Sequence, residues 1–114
     1  MDNNILDTKM IIINLLKEDK KTYTSLTKLI YLTNFIYKKL IEKNLLKQYK
    51  IHFDINFDAI YRTVLYNNTI FDLDIDGEMI FLREKNKVSD LARQYKVDNN
   101  IKDFIHEFQR EWVA

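Results

Sequence analysis

The residues able to do chemistry are few and scattered. Cysteine is absent, and the two histidines, His52 and His106, lie far apart in the chain. Neither sits in a metal-ligand pair such as two His four residues apart. His52, Asp54, Asp58 and Tyr61 are the one short span with acid–base capacity. General acid–base catalysis needs such groups in a cleft with displaced pKa values. The alternation of apolar and polar residues around them instead sends His52 and Asp54 to a solvent face. His106 flanks an apolar helical stripe and is expected to be exposed as well. Asp72, Asp74 and Asp76 followed by Gly77 imitate the opening of a calcium loop, but the twelfth position, which needs a bidentate Glu, is Arg83. With one glycine and no proline, no Gly-rich phosphate cradle is available. The expectation is a chain with no catalytic residue set, no cofactor site and no metal site.

The elements that would carry these residues read as follows. Ile5, Leu6, Met10, Ile13 and Leu16 predict a first helix that ends near the charged run Lys17–Lys21. Thr24 or Ser25 is the expected N-cap of a second helix running to about Asn44. That helix is apolar around most of its circumference through Leu26, Leu29, Ile30, Tyr31, Leu32, Phe35, Ile36, Leu40 and Ile41, and is expected to be the central, buried one. From Tyr49 to Asp58 the chain alternates strictly, with Tyr49, Ile51, Phe53, Ile55 and Phe57 against polar neighbours, which predicts a half-buried strand. Phe57, Ile60, Tyr61, Val64 and Leu65 then follow helical spacing. Residues 70–83 predict a hairpin about a two-residue Asp76-Gly77 turn, pairing Leu73 with Ile80 and Phe71 with Leu82. Leu91, Ala92 and Tyr95 predict a short helix capped by Ser89. Ile101, Phe104, Ile105, Phe108 and Trp112 form a last helical stripe, which is expected to cover Tyr31 and Phe35 of the second helix. The class is α+β: one small domain, residues 1–114, with a central helix and flanking helices on a small antiparallel sheet of a strand plus a hairpin.

Composition narrows the function. The 114 residues are 46% apolar, with seven Phe, seven Tyr and one Trp, enough to build one core. The densest apolar stretch, Leu29 to Leu46, carries Lys38, Lys39, Glu42 and Lys43, so no membrane span is expected. No signal peptide is visible at Met1-Asp2-Asn3-Asn4, and the absence of cysteine suits a reducing, cytoplasmic setting. Net charge is +1, yet residues 17–50 hold nine Lys against three acids and residues 51–84 hold two Arg against seven. Such segregation can act as a field for a partner.

The run Leu26-Thr27-Lys28-Leu29-Ile30-Tyr31-Leu32 resembles the opening Leu-x-Lys-Leu-Leu-Tyr-aromatic signature of the Panacea antitoxin domain. Leu45 falls where that family ends its Gly-Arg-Pro-Leu turn. Phe57-Asp58-Ala59-Ile60-Tyr61 resembles its Phe-x-Ala-Trp-x-Tyr-Gly-Pro segment, with one residue fewer. The similarity spans about residues 10–83. Here Glu42-Lys43-Asn44 stands in place of Gly-Arg-Pro, Ile60 in place of Trp, and Tyr61-Arg62-Thr63 in place of Tyr-Gly-Pro. The resemblance implies a non-enzymatic antitoxin-like domain that binds and neutralises a protein.

Taken together, these features predict a protein-binding inhibitor or antitoxin-like module of mobile-element origin, with no enzymatic activity. The candidate contacts are Lys28, Lys38, Lys39, Lys43, Lys47 and Lys50 on a basic side and Asp72, Asp74, Asp76 and Glu78 on an acidic side. The alternative is a nucleic-acid-binding regulator, because Val88, Leu91, Ala92, Tyr95, Val97, Ile101 and Ile105 have helix-turn-helix spacing. Against that, Asp98, Asp103 and Glu107 would face phosphates from the would-be recognition helix.

Overall fold

The structure is a computed structural model that describes residues 4–53, 55–74 and 76–112. Its element order is β1 (Asn4–Asp7), α1 (Thr8–Asp19), β2 (Tyr23–Ser25), α2 (Leu26–Glu42), β3 (Tyr49–His52), α3 (Phe57–Tyr66), β4 (Phe71–Leu73), β5 (Met79–Leu82), α4 (Val88–Gln94) and α5 (Asn99–Glu111). The class is α+β in one small domain, as the patterning implies.

Burial is distributed differently from the expectation. Every residue from Ile11 to Leu16 is buried, and α1 touches β1, α2, α3, α4 and α5. The central helix is therefore α1. Its Ile-Ile-Ile and Leu-Leu runs cover all sides of the helix, as burial on every side requires. Within it, the buried Asn14 Nδ2 donates to Met10 O at 2.8 Å and to Tyr95 O at 3.0 Å, so its amide also satisfies a carbonyl at the end of α4. The second helix is one-sided: Leu26, Leu29, Leu32, Ile36 and Leu40 are buried, while Tyr31 and Ile41 are exposed.

Several boundaries also move. Ile5 and Leu6 belong to β1 and not to the first helix, because Asp7 caps α1 by accepting from Met10 N at 2.8 Å. Strand β3 stops at His52, and Asn56 accepts from Ala59 N at 2.9 Å to start α3. The alternating stretch beyond it thus becomes a turn and the first turn of a helix; Asp54 lies outside the described residues. Strand β3 pairs with β1 in parallel, Asn4 opposite Tyr49 through Asp7 opposite His52, and it does not join the hairpin. The hairpin gains β2 instead, giving the antiparallel order β2-β5-β4. Its register is the expected one, with Leu73 opposite Ile80 and Phe71 opposite Leu82. The turn is not the symmetrical two-residue type. Among the described residues only Gly77 has positive φ there, and Asp74 closes the loop by accepting from Gly77 N on its carbonyl and from Glu78 N and Met79 N on its carboxylate. Helix α4 starts at Val88 after Lys87, which makes no side-chain cap bond, so Ser89 sits inside its first turn.

The C-terminal helix packs on α2 as its stripe predicts, covering Phe35 but leaving Tyr31 largely exposed. Phe108 packs on Phe35, centroids 5.5 Å apart, and Trp112 on Tyr31 at 5.6 Å. Its other end is tied to the β1–β3 pair. The Tyr49 hydroxyl donates to the Asp98 carboxylate, which also accepts from Asn4 Nδ2 and caps α5 through Ile101 N. Burial, reinforced by that hydrogen bond, pushes the Tyr49 hydroxyl up to about 12.

Candidate binding surface

The ten charged residues expected to form the site do not gather into two patches. Lys28, in the first turn of α2, is mostly buried and bonds Asp19 at 2.9 Å. Lys39 pairs with Glu107 of α5 at 3.0 Å, and that partner raises its pKa. The two lysines are eleven positions apart on one helix, or roughly 16 Å at 1.5 Å per residue, and both serve contacts inside the domain. Lys38 borders the groove between α2 and α5. Lys43, Lys47 and Lys50 are exposed and consecutive along the path from the end of α2 into β3. On the acidic side, Asp72 is held by Arg83, whose guanidinium lowers its pKa. Asp74 is occupied in closing the hairpin loop. Asp76 and Glu78 are exposed at the loop tip.

The residues with acid–base capacity also separate. His52 is exposed on β3, and Asp58 is exposed in the first turn of α3. Tyr61 stacks on Phe57, centroids 6.1 Å apart, and its ring meets the face of Gly77, so it points toward the hairpin loop. His106 is exposed and contacts Glu18. Among the described residues, no group of three or more His, Asp or Glu is placed to hold a metal ion, and no helix is long and apolar enough to cross a membrane.

What the structure assembles instead is a grooved surface around β3 and α3, apolar on the α2 side and mixed on the α3 side. Two grooves run beside the strand. One, about 530 Å³, is lined by Tyr37 of α2, Leu46, and Tyr49, Ile51, Phe53 and Ile55. The other, about 400 Å³, is lined by Ile51, His52 and Phe53 together with Ala59, Arg62, Thr63 and Tyr66 of α3. They share Ile51 and Phe53, so they adjoin along β3. Ile55, in the first groove, is nearly half exposed, and Tyr66, in the second, is 85% exposed. Single exposed apolar residues are ordinary, but a cluster of large ones marks an interface. Sequence reasoning missed this surface. The alternation put Ile55 and Phe57 on the buried face of a long strand, and only the early end of β3 turns them outward.

The helix-turn-helix spacing corresponds to α4 and α5. The apolar positions of α5, Ile101, Phe104, Ile105 and Phe108, are buried in the domain, and its exposed side mixes Lys102 and Arg110 with Asp103 and Glu111. That face is not a basic one suited to a phosphate backbone. Comparison with known proteins finds no family model, no curated protein and no solved structure that matches this chain.

Proposed function

We propose that this chain is a non-enzymatic protein-binding module, and that it acts by direct binding of a partner protein through the β3–α3 surface. The observation that carries this reading is the pair of adjoining grooves beside β3, one edged by the exposed Ile55 and the other by the exposed Tyr66. Tyr and Phe supply large contact area at low entropic cost and dominate binding energy where they can be desolvated. Lys47 and Lys50 are exposed and adjoin groove-lining residues in the chain, so that part of the basic side remains a contact region. On the resemblance to the Panacea antitoxin domain, the binding would be inhibitory.

The test is capture from the native host on immobilised protein, with Tyr66→Glu and Ile55→Asp as controls. Both positions are exposed, so the variants fold normally. The expected result is a protein retained by the wild type and lost by both. A protein retained equally by all three would move the interface elsewhere. Retention of nucleic acid alone, released steeply by salt, would replace the reading with a nucleic-acid one.

A further inference from the structure

Strand β3 is paired on one edge only. Its neighbour is β1, and no other described strand joins that sheet. No backbone hydrogen bond outside the β1 ladder is made by residues 50–53 among the described residues. An open edge is a row of unsatisfied donors and acceptors, and proteins either blunt it or use it to accept another strand. Beside the edge lie two adjoining grooves, one apolar and one of mixed polarity.

Side chains on a strand alternate between faces. Tyr49, Ile51 and Phe53 face one way, and the groove on that side is apolar, completed by Tyr37, Leu46 and Ile55. Lys50 and His52 face the other way; the second groove takes in His52 and Arg62 together with Ile51, Phe53, Ala59, Thr63 and Tyr66. Both Lys50 and Arg62 are exposed, and neither makes an ion pair among the described residues, even though Asp58 lies one turn before Arg62 on α3. Asp7, opposite His52 in the ladder, is engaged in capping α1. Lys50 and Arg62 are thus exposed cations on this face that no described carboxylate holds in an ion pair.

We infer that the free edge of β3 accepts an extended segment of the partner protein as an added strand, one in which apolar residues alternate with Asp or Glu. Resting on the protein-binding reading above, this names the binding mode and the chemistry of the partner. Backbone hydrogen bonds to β3 supply affinity. Alternate apolar side chains enter the groove of Tyr37, Leu46, Ile51, Phe53 and Ile55. The acidic side chains between them meet Lys50, His52 and Arg62 on the opposite face, where Arg–carboxylate contacts add directional, charge-assisted bonds.

The experiment is selection of a random dodecamer peptide library displayed on phage against the full chain, with counter-selection on Ile55→Asp and Arg62→Glu proteins. The enriched peptides are synthesised, and their affinity is measured by fluorescence anisotropy. Expected are peptides with apolar residues at every second position and Asp or Glu between them. Each variant should weaken binding by about tenfold or more, and methylation of alternate peptide nitrogens should abolish it. Enriched peptides that lack the alternation, that are basic, or that bind both variants unchanged would overturn the inference. So would a library that yields no peptide retained above the variants. A concentration-dependent dimer in sedimentation, lost in Ile55→Asp, would also overturn it by making a second copy the occupant of the edge. If the host protein is captured but withstands Ile55→Asp and Arg62→Glu, strand addition fails while protein binding stands.

Discussion

Lys28 and Asp19 offer the sharpest test of how charge is used inside the domain. Asp19 is the last residue of α1 and Lys28 lies in the first turn of α2. Each sits at the helix end where its charge opposes the helix dipole, so each needs the other. Their side chains are 3% and 12% exposed, the contact is 2.9 Å, and Asp19 Oδ1 has no partner of its own. Replacing Lys28 with Met keeps the length of the side chain and leaves a buried carboxylate alone. Removing one member of a buried pair costs about 3–5 kcal/mol. The small exposure of Lys28 lowers the expectation to about 2–4 kcal/mol, or a Tm fall of roughly 8–16 °C for a domain of this size. The double change Asp19→Leu with Lys28→Met removes both charges and both dipole conflicts, and should return stability to within about 1 kcal/mol of the wild type. Urea denaturation followed by the fluorescence of Trp112, whose ring lies 5.8 Å from Lys28 Nζ, gives both numbers at an unchanged m value. A single variant that costs under about 0.5 kcal/mol would mean a solvent-screened pair and would return Lys28 to the set of free surface contacts.

Other perturbations read other parts of the fold. Stability should fall between about pH 10 and pH 12: Tyr49 ionises near 10 in the unfolded chain but only at about 12 in the fold, so the unfolded state loses its proton first. The loss is at most about 3 kcal/mol, and a Tyr49→Phe protein, compared by urea melts across that range, should lack that component of the decline; an identical decline in the variant would contradict the assignment. Gly77→Ala should destabilise by about 1–3 kcal/mol, because Gly77 has φ +70° and an added Cβ would sit 2.9 Å from the Tyr61 ring; an unchanged midpoint would show that the loop relaxes freely. Deleting residues 99–114 should uncover Phe35 and the α1 core and cause aggregation or dimerisation in sedimentation. A monomeric truncation with unchanged thermal stability would place α5 outside the core.

What was legible in the sequence follows a physical divide. The Ile101–Phe108 stripe, the Ser25 cap and the hairpin register are local patterns, and each is found where it was expected. Strands β1 and β2, of four and three residues, carry no periodic signal of their own and exist because β3 and β5 lie beside them. Ile5 and Leu6 fit helical spacing with Met10 as well as they fit a strand; only the Asp7 cap decides. The candidate surface was hardest to see. It joins Tyr37 of α2, β3 and α3, and the exposure of Ile55 and Phe57 depends on Asn56 starting a helix in the midst of a strand pattern. Charge was legible as a count, but the count does not distinguish Lys28 and Lys39, which hold helices together, from Lys47 and Lys50, which are exposed and make no ion pair among the described residues.

The most direct test of binding through the β3–α3 surface is hydrogen exchange on the full chain with and without the captured partner. Slowed exchange should be confined to residues 49–66 and the end of α2, with the β2-β5-β4 sheet and α5 unchanged. Protection centred on the sheet bearing Asp72, Asp76 and Glu78, or on α4 and α5, would contradict it.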